Sequence, residues 1–593
     1  MPKTATFSIK KHNDFLRMVS DFFESGTDAQ HRNFCKKHHI EHIGKTAYSI
    51  GIDLYLYDLY KDEQYYTRAY NRAFRVSSQL KQVNNSYVYL PDGDERWNMS
   101  QRVIDAGAAT DMLATFLLKV GHKVTKEEYE VLADTVTKNA DTYLVDASVH
   151  KAPTNQRLWG ATGLASAYTL LQKEEWTEAL RASVERSLSE IRADGSIPYI
   201  TAYEGYADAS YKEITPFYHS RHAAYAWHVL DALGGDNTKE LELLIKSTDF
   251  LIGLYQPGGR KCLQLETKHW YFLSEYEISS NSYDVYSFLR AYECTKNPKY
   301  AYYAAEALEQ LYAHQLKNGA LDDHKGYGVN FQCQHFWNGN TCWLTRIANL
   351  VTELNAIEFT LEPHALHFKD SGVINVRTED AAFIVRGSKV EPRGAMGSKI
   401  GGGSLVYVGN SKSNFKDLLG AWTFGYKKVP GNFHAIKKSK EDEHHLPYKT
   451  FKALVLYALI ELRARSLPGV WQRLKIVGRE LLYRRNHYSS MFVCDAAMRL
   501  EGTTVTVEGG GLAKWNGEKN PQINLKRQYT LQGENVLVRE SLQAGPEGWG
   551  SRLYYVLPKK AFAIKVHKGE YKQKNNLIIF SSTSSVIDFE YGL

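Results

Sequence analysis

At 593 residues the chain is several times the usual domain length of about 100 to 200 residues, so two or three domains and a large buried core are expected. Hydrophobic residues make up 43% and charged residues 23%, which excludes disordered and fibrous classes. The formal net charge of +7 comes without the long basic runs of a nucleic-acid binder, so no nucleic-acid partner is expected and a cleft for an anionic ligand is.

Forty tyrosines and eleven tryptophans exceed what a core needs. Helix packing accounts for at least half of them, and the rest suit stacking on the apolar faces of sugar rings. Six scattered cysteines without a C-x-x-C spacing read as reduced thiols. The start, Met1 to Phe7, has no apolar run of secretory length, which leaves a cytoplasmic protein or one whose leader is missing. No window of about 18 apolar residues predicts a transmembrane helix.

From residue 40 to about 355 helical periods come in pairs separated by short polar turns. The pairs are Gly51–Tyr60 with Glu63–Leu80, Gln101–Val120 with Glu127–Leu144, Leu158–Leu171 with Glu175–Ile191, Arg221–Leu233 with Glu240–Leu254, and Tyr283–Cys294 with Tyr300–Leu316, before a last helix near Thr341–Leu354. A spacing of about 50 to 60 residues is that of stacked helical hairpins. Two of the turns are alike, Lys61-Asp62-Glu63 and Lys296-Asn297-Pro298. Closing five or six such pairs gives an (α/α) toroid, with a mouth lined by the loops and starts of the inner helices.

After residue 360 the pattern becomes short alternating runs, such as Val373 to Arg377, Ala382 to Arg386 and Leu405 to Val408, resuming from Thr504 to Phe580. The expected architecture is α+β and multidomain: a toroid over residues 1–358, then an antiparallel β-sandwich over 359–593. A helical hairpin at about 448–485 interrupts the sandwich; its basic flank over 451–485 is either a solvated face or a peripheral contact with an anionic membrane.

The most specific stretch is Glu213-Ile214-Thr215-Pro216-Phe217-Tyr218-His219, about twenty residues after Asp194-Gly195-Ser196. It resembles the Asp-Gly-Ser and Glu-x-Ser-Pro-x-Tyr-His signature of the heparinase II/III-like polysaccharide lyases, whose domain order is also a toroid followed by a sandwich. That resemblance implies β-elimination on a uronic-acid glycan, with Tyr218 as the catalytic tyrosine. The chemistry asks for such a group: the C5 proton must leave, the enolate must be stabilised, and the departing oxygen must be protonated. His219, Arg221 and His222 follow as donors, and a lone Tyr-His pair serving only packing is the plain alternative.

Asn155-Gln156-Arg157 opens an earlier inner helix. The resemblance implies that Asn155 binds the substrate carboxylate, a place where charge grows in the transition state. Gln156 stands where those relatives carry His. Arg157 is either a second carboxylate ligand or a salt-bridge residue.

The cluster Phe331 to Asn338 enters the last inner helix, with His335 as supporting acid or base and Trp337 and Trp343 as stacking platforms. Trp97 and His269-Trp270-Tyr271 are further candidates for the groove. The histidine those relatives keep in a sandwich strand is missing here, and His434 is the expected replacement. No cofactor is called for and no cluster has metal-ligand spacing; a divalent metal held by sequence-distant residues stays open. The expected partner is an anionic polysaccharide or oligosaccharide. Two rival readings stand beside the lyase: a uronosyl C5-epimerase, and a glycan-binding protein without catalysis.

Overall fold

The computed structural model describes residues 7–35, 40–90, 102–199, 214–235, 237–262, 276–321, 334–354, 363–388, 400–419, 429–436, 487–494, 496–514, 517–544, 552–581 and 584–593, with Leu459 and Leu462. The helices in chain order are α1 (Ile9–Ser25), α2 (Ile43–Tyr60), α3 (Glu63–Ser77), α4 (Arg102–Val120), α5 (Lys126–Asn139), α6 (Val145–His150), α7 (Thr154–Leu171) and α8 (Glu175–Ser189). There follow α9 (Pro216–Leu233), α10 (Thr238–Gly253), α11 (Asn281–Thr295), α12 (Pro298–Ala313), α13 (Gln334–Asn340) and α14 (Ala348–Glu353), the last two joined by the tighter turns of Thr341–Ile347.

Helices α2, α4, α7, α9, α11 and the α13–α14 segment pack each against the next, and the last packs back on α2, closing a ring. These inner helices are buried nearly all round, as α7 shows from Thr154 to Ala167. Their backbones come close: a Cβ on Gly107 of α4 would lie 2.3 Å from the Trp159 carbonyl oxygen of α7. The outer helices are two-sided, with α3 burying Tyr65, Ala69, Ala73 and Val76 at a period of three to four.

The two similar turns serve one purpose. Lys61 and Lys296 end α2 and α11 in the left-handed region (φ 55° and 52°), and Asp62 and Asn297 then cap α3 and α12. The sixth outer place is filled by α1, which the pairing read from residue 40 onward does not include. There His12 Nδ1 lies 2.9 Å from Tyr312 Oη, and Gln315 Nε2 donates to the Phe15 carbonyl at 2.9 Å.

The remainder is antiparallel. A four-stranded sheet runs, in spatial order, Ser404–Asn410, Ala381–Arg386, Val373–Arg377, His364–Phe368. A five-stranded sheet follows the order His487–Ser489, Asn432–Ile436, Arg552–Val556, Leu577–Phe580, Tyr571–Lys574. A six-stranded sheet follows the order Ala497–Glu501, Thr504–Gly510, Ile523–Gln532, Asn535–Ala544, Val586–Gly592, Phe562–Lys568. The last two sheets face each other through Phe433 and Tyr555 against Phe589, with ring centroids 5.8 and 4.8 Å apart.

Three strands of the four-stranded sheet are buried along their whole length, because that sheet lies between the toroid and the other two. On the toroid side Asn375 Nδ2 donates to the Gly253 carbonyl at 2.8 Å, and Phe368 packs on Phe250. The Asp194-Gly195-Ser196 motif belongs to this seam: Asp194 accepts from Ser371 N at 2.7 Å, and its own N–H donates to Asp370 at 3.1 Å. Gly195 has φ +85°, and a Cβ there would sit 2.3 Å from the Lys246 carbonyl oxygen, so only glycine fits.

The domain boundary at 358/359 lies outside the described residues. So does the basic hairpin at 448–485, apart from the half-exposed Leu459 and Leu462. No described helix is long and apolar enough to cross a membrane.

Candidate active site in the toroid mouth

Pro216 takes the first position of α9, where its missing N–H costs nothing. Two residues on, Tyr218 begins a face that Arg221 and His222 continue at i+3 and i+4. Phe217 and the half-buried Tyr218 and Phe336 form an aromatic cluster that meets the main core through Phe336. The Tyr218 ring lies 4.8 Å from that of Tyr199 and 5.0 Å from that of Phe217.

Two buried cations stand on this cluster. The Arg221 guanidinium sits 3.6 Å from the Phe217 ring and 4.6 Å from the Tyr283 ring, and it donates to the Phe217 carbonyl. From α2, Lys45 Nζ sits 4.3 Å from the Phe336 ring and donates to Asn340 Oδ1 at 3.0 Å. The same oxygen accepts from Tyr283 Oη at 3.0 Å, while Asn340 Nδ2 donates to the Ser279 carbonyl. Asn340 thereby fixes α2, α11 and α13 to one another beneath the mouth. Asp105, which accepts from the Gly44 N–H at 2.9 Å, is a half-buried carboxylate that feels the charge of Lys45.

Asn155 comes to the same end of the ring, because its neighbour Thr154 donates a backbone hydrogen bond to the carbonyl of Tyr199, the residue packed on Tyr218. Asn155 Oδ1 and both ring nitrogens of His222 are buried, and none has a hydrogen-bond partner among the described residues. An unsatisfied buried polar atom costs about 1–3 kcal/mol, and here one stands at the start of α7 and two stand in the second turn of α9. Burial, helped by the charges of His219, Arg157 and Arg221, holds His222 well below the usual histidine range and therefore neutral.

Other expected site residues lie elsewhere. His219, next to Tyr218 but about 100° further round the helix, turns to the outer layer. There its Nε2 meets Ser247 at 3.0 Å, its ring packs on Phe250, and burial lowers its pKa to about 4. Arg157 is buried in an ion pair with Glu190 at 2.6 Å and donates to the carbonyls of Lys151 and Ala152, tying α7 to the end of α8. His335 donates to Asn33 and packs on Phe22 and Phe23 of α1.

Trp337 and Trp343 are core residues; Trp343, wholly buried, meets Tyr225, Tyr283 and Tyr286 at 5.0–5.4 Å and so offers no face to a sugar. His434 is buried in the sandwich, stacked between His487 and Tyr554. Trp97 and His269 to Tyr271 lie outside the described residues.

Sequence reasoning did not single out Lys45, Asn340 or Lys261. Lys261 Nζ bonds Ser220 Oγ at 2.6 Å, Ser280 Oγ at 2.7 Å and Asp284 at 2.7 Å, pinning α9 to α11 from behind. A signal for Lys45 was present: it is a lone cation at the start of the apolar run Thr46 to Leu54.

No family model matches the sequence, and no curated protein matches it either. Solved structures are similar in fold. A chondroitin AC lyase from Streptomyces coelicolor A3, in complex with chondroitin sulphate, superposes on 98% of this chain and 76% of its own, with a TM-score of 0.51 and 7% identity. A xanthan lyase from Paenibacillus does so on 98% of this chain and 55% of its own, with a TM-score of 0.50 and 10% identity. A cellobiose 2-epimerase from Bacillus thermoamylovorans B4167 matches 57% of this chain and 99% of its own, at a TM-score of 0.43 and 9% identity. At these identities the likeness is one of fold, and the chain has the helical-toroid-plus-β-sandwich fold that it shares with the two lyases.

Proposed function

We propose that the chain is a polysaccharide lyase that cleaves a uronic-acid-containing glycan by β-elimination, with Tyr218 as the proton-transfer residue. The observation that carries this reading is the half-buried Tyr218 at the edge of an aromatic floor that bears two buried cations, Arg221 and Lys45. The shared fold with a chondroitin and a xanthan lyase supports it. So does the heparinase II/III-like pattern around Tyr218 and Asn155, although Gln156 and the buried His434 depart from that pattern.

In this reading Tyr218, acting as its phenolate, takes the C5 proton of the uronate, the electron pair left on C5 is delocalised into the carboxyl group, and the C4–O bond then breaks. The departing oxygen takes that proton back from the Tyr218 hydroxyl, which restores the phenolate. Arg221 and Lys45 act through their charge on the acid group, which becomes more negative as the enolate forms. Asn155 presents its amide to the same acid group.

The second reading, a uronosyl C5-epimerase, shares the first step. His222 favours it, because a neutral imidazole on the same helix face as Tyr218 is a second proton carrier. One experiment tests both: the protein is incubated in deuterated water with a panel of uronate polymers. A lyase yields chain ends that absorb in the ultraviolet, and an epimerase places deuterium at C5 of intact chains. If neither appears with any polymer bound, glycan binding without catalysis replaces both readings.

A further inference from the structure

Between Lys559 and Lys574 stand six lysines (Lys559, Lys560, Lys565, Lys568, Lys572, Lys574) against one acidic residue, Glu570. Spaced singly or in pairs, they do not stand out as a run. The fold gathers them. The strands Phe562–Lys568 and Tyr571–Lys574 are consecutive in the chain, joined by a turn at Gly569 (φ 101°), yet each is the outermost strand of a different sheet. Together they wall one open side of the sandwich.

All six lysines on that wall are exposed, and so are Phe562 and Tyr571, at 47% each. Among the described residues Glu590 is the carboxylate that reaches it, 4.0 Å from Lys565 and 3.4 Å from His567. Asp588, which pairs in register with Lys568, is engaged by Arg539 at 2.9 Å. Six lysines against Glu570 and Glu590, with Asp588 offset by Arg539, leave a local excess of four positive charges on one side of one domain, set against +7 for the whole chain.

Lysines also serve to keep sheet edges from pairing with other chains, and two register shifts in the strand Phe562–Lys568 already act that way. The opposite outer strand of the same sheet, Ala497–Glu501, shows what edge protection alone requires: Arg499 and Glu501 lie 3.9 Å apart there, with no excess of either sign. The lysine wall goes well beyond that.

We infer that this edge is a second binding surface, separate from the toroid mouth, for an anionic polysaccharide. The class of polymer rests on the function proposed above; the surface itself does not. A row of flexible exposed ammonium groups fits repeated carboxylate or sulfate groups along a strand. Holding the polymer at a second place raises its local concentration at the mouth without any new contact there.

The test uses the full chain carrying Tyr218→Phe, so that polymer is held and not consumed, with and without Lys568→Glu, Lys572→Glu and Lys574→Glu together. Binding to immobilised alginate and heparin is measured at rising salt, with dextran as the neutral control. The expected result is at least a tenfold weaker binding for the triple variant and a flatter salt dependence, because fewer counterions are released. Turnover of short oligosaccharides by the chain with Tyr218 intact should be unchanged by the triple substitution, and thermal unfolding of the triple variant should match the parent. Equal binding by the triple variant and its parent overturns the inference, as does retention on phosphatidylserine vesicles or polynucleotide with none on either polysaccharide. If no polymer is cleaved but lysine-dependent binding persists, the proposed function falls and this surface stands. If cleavage stands and the triple variant binds like its parent, the reverse holds.

Discussion

Two Asn–His pairs, one in each half of the molecule, show how scaffold and site differ. In the sandwich, Asn432 Oδ1 accepts from Ser404 and Ser490 at 2.8 and 2.9 Å, and its Nδ2 donates to the Pro430 carbonyl. His434 beside it meets His487 at 3.1 Å and the Val429 carbonyl at 3.5 Å. In the toroid mouth, Asn155 and His222 are as deeply buried, yet Asn155 Oδ1 and both nitrogens of His222 lack a partner among the described residues. Residue type and burial are the same in the two places. What separates them is whether described residues complete the hydrogen bonds.

The largest effect expected from this contrast is at Tyr218. Tyr218→Phe removes one hydroxyl and keeps the ring against Tyr199 and Phe217, so turnover on a cleaved polymer should fall by about 10² to 10⁴ while thermal unfolding stays as in the parent. A variant as active as the parent would leave the mouth without its central residue.

The asparagine pair should split in opposite ways. Asn155→Ala should slow turnover by about tenfold or more and change stability by less than about 1 kcal/mol, since its oxygen has no described protein partner to lose. Asn432→Ala should leave turnover alone and cost about 1–3 kcal/mol in chemical unfolding, because the buried Ser490 hydroxyl loses its acceptor and the Pro430 carbonyl its donor. Equal losses of stability at both positions would erase the distinction drawn here.

The smallest effect is in pH. Burial lowers His434 to about 3 and His12, His219 and His364 to about 4, from an ordinary 6.5. The folded chain keeps these rings neutral while the unfolded chain protonates them, so their contribution to stability is whole above pH 6.5 and is lost as the pH falls from there toward 4. Each can contribute a slope of up to about 1.4 kcal/mol per pH unit in that window. His434→Gln should make the slope measurably shallower between pH 6.5 and 4.5, and an unaltered slope would show that burial of His434 does not set its protonation.

Much of the architecture was legible because the outer helices carry an apolar stripe at 3.6 residues, the inner ones are long and buried nearly all round, and the turns at Lys61 and Lys296 recur. Helix α1 was passed over although Phe15, Leu16, Val19, Phe22 and Phe23 carry the same period, since it lacks a partner adjacent in sequence. Of the mouth, Tyr218 and Asn155 were reachable through a local motif. Lys45 and Asn340 were not: they meet only through a ring closure that joins residues 295 positions apart. The tryptophans misled for the opposite reason. Trp337 and Trp343 stand in a stretch that enters the mouth, but the toroid axis, filled by Trp343, Tyr225 and Tyr283, uses aromatic bulk as packing. The Asp194 motif likewise sits close in sequence to the Tyr218 stretch and in space holds the two halves of the molecule together.

The closing of the ring by α1 carries a consequence for synthesis. His12 and Phe15 leave the ribosome 300 residues ahead of their partners Tyr312 and Gln315. At about 5–20 residues per second that is a wait of roughly 15 to 60 s, during which α1 and the apolar inner face of α2 have nothing of the sixth helical pair to cover them. The toroid cannot assemble as a growing series of finished hairpins. Its last step joins both ends of a long segment at once, so a nascent chain stalled before residue 334 should be held by chaperones far more strongly than one released after residue 354.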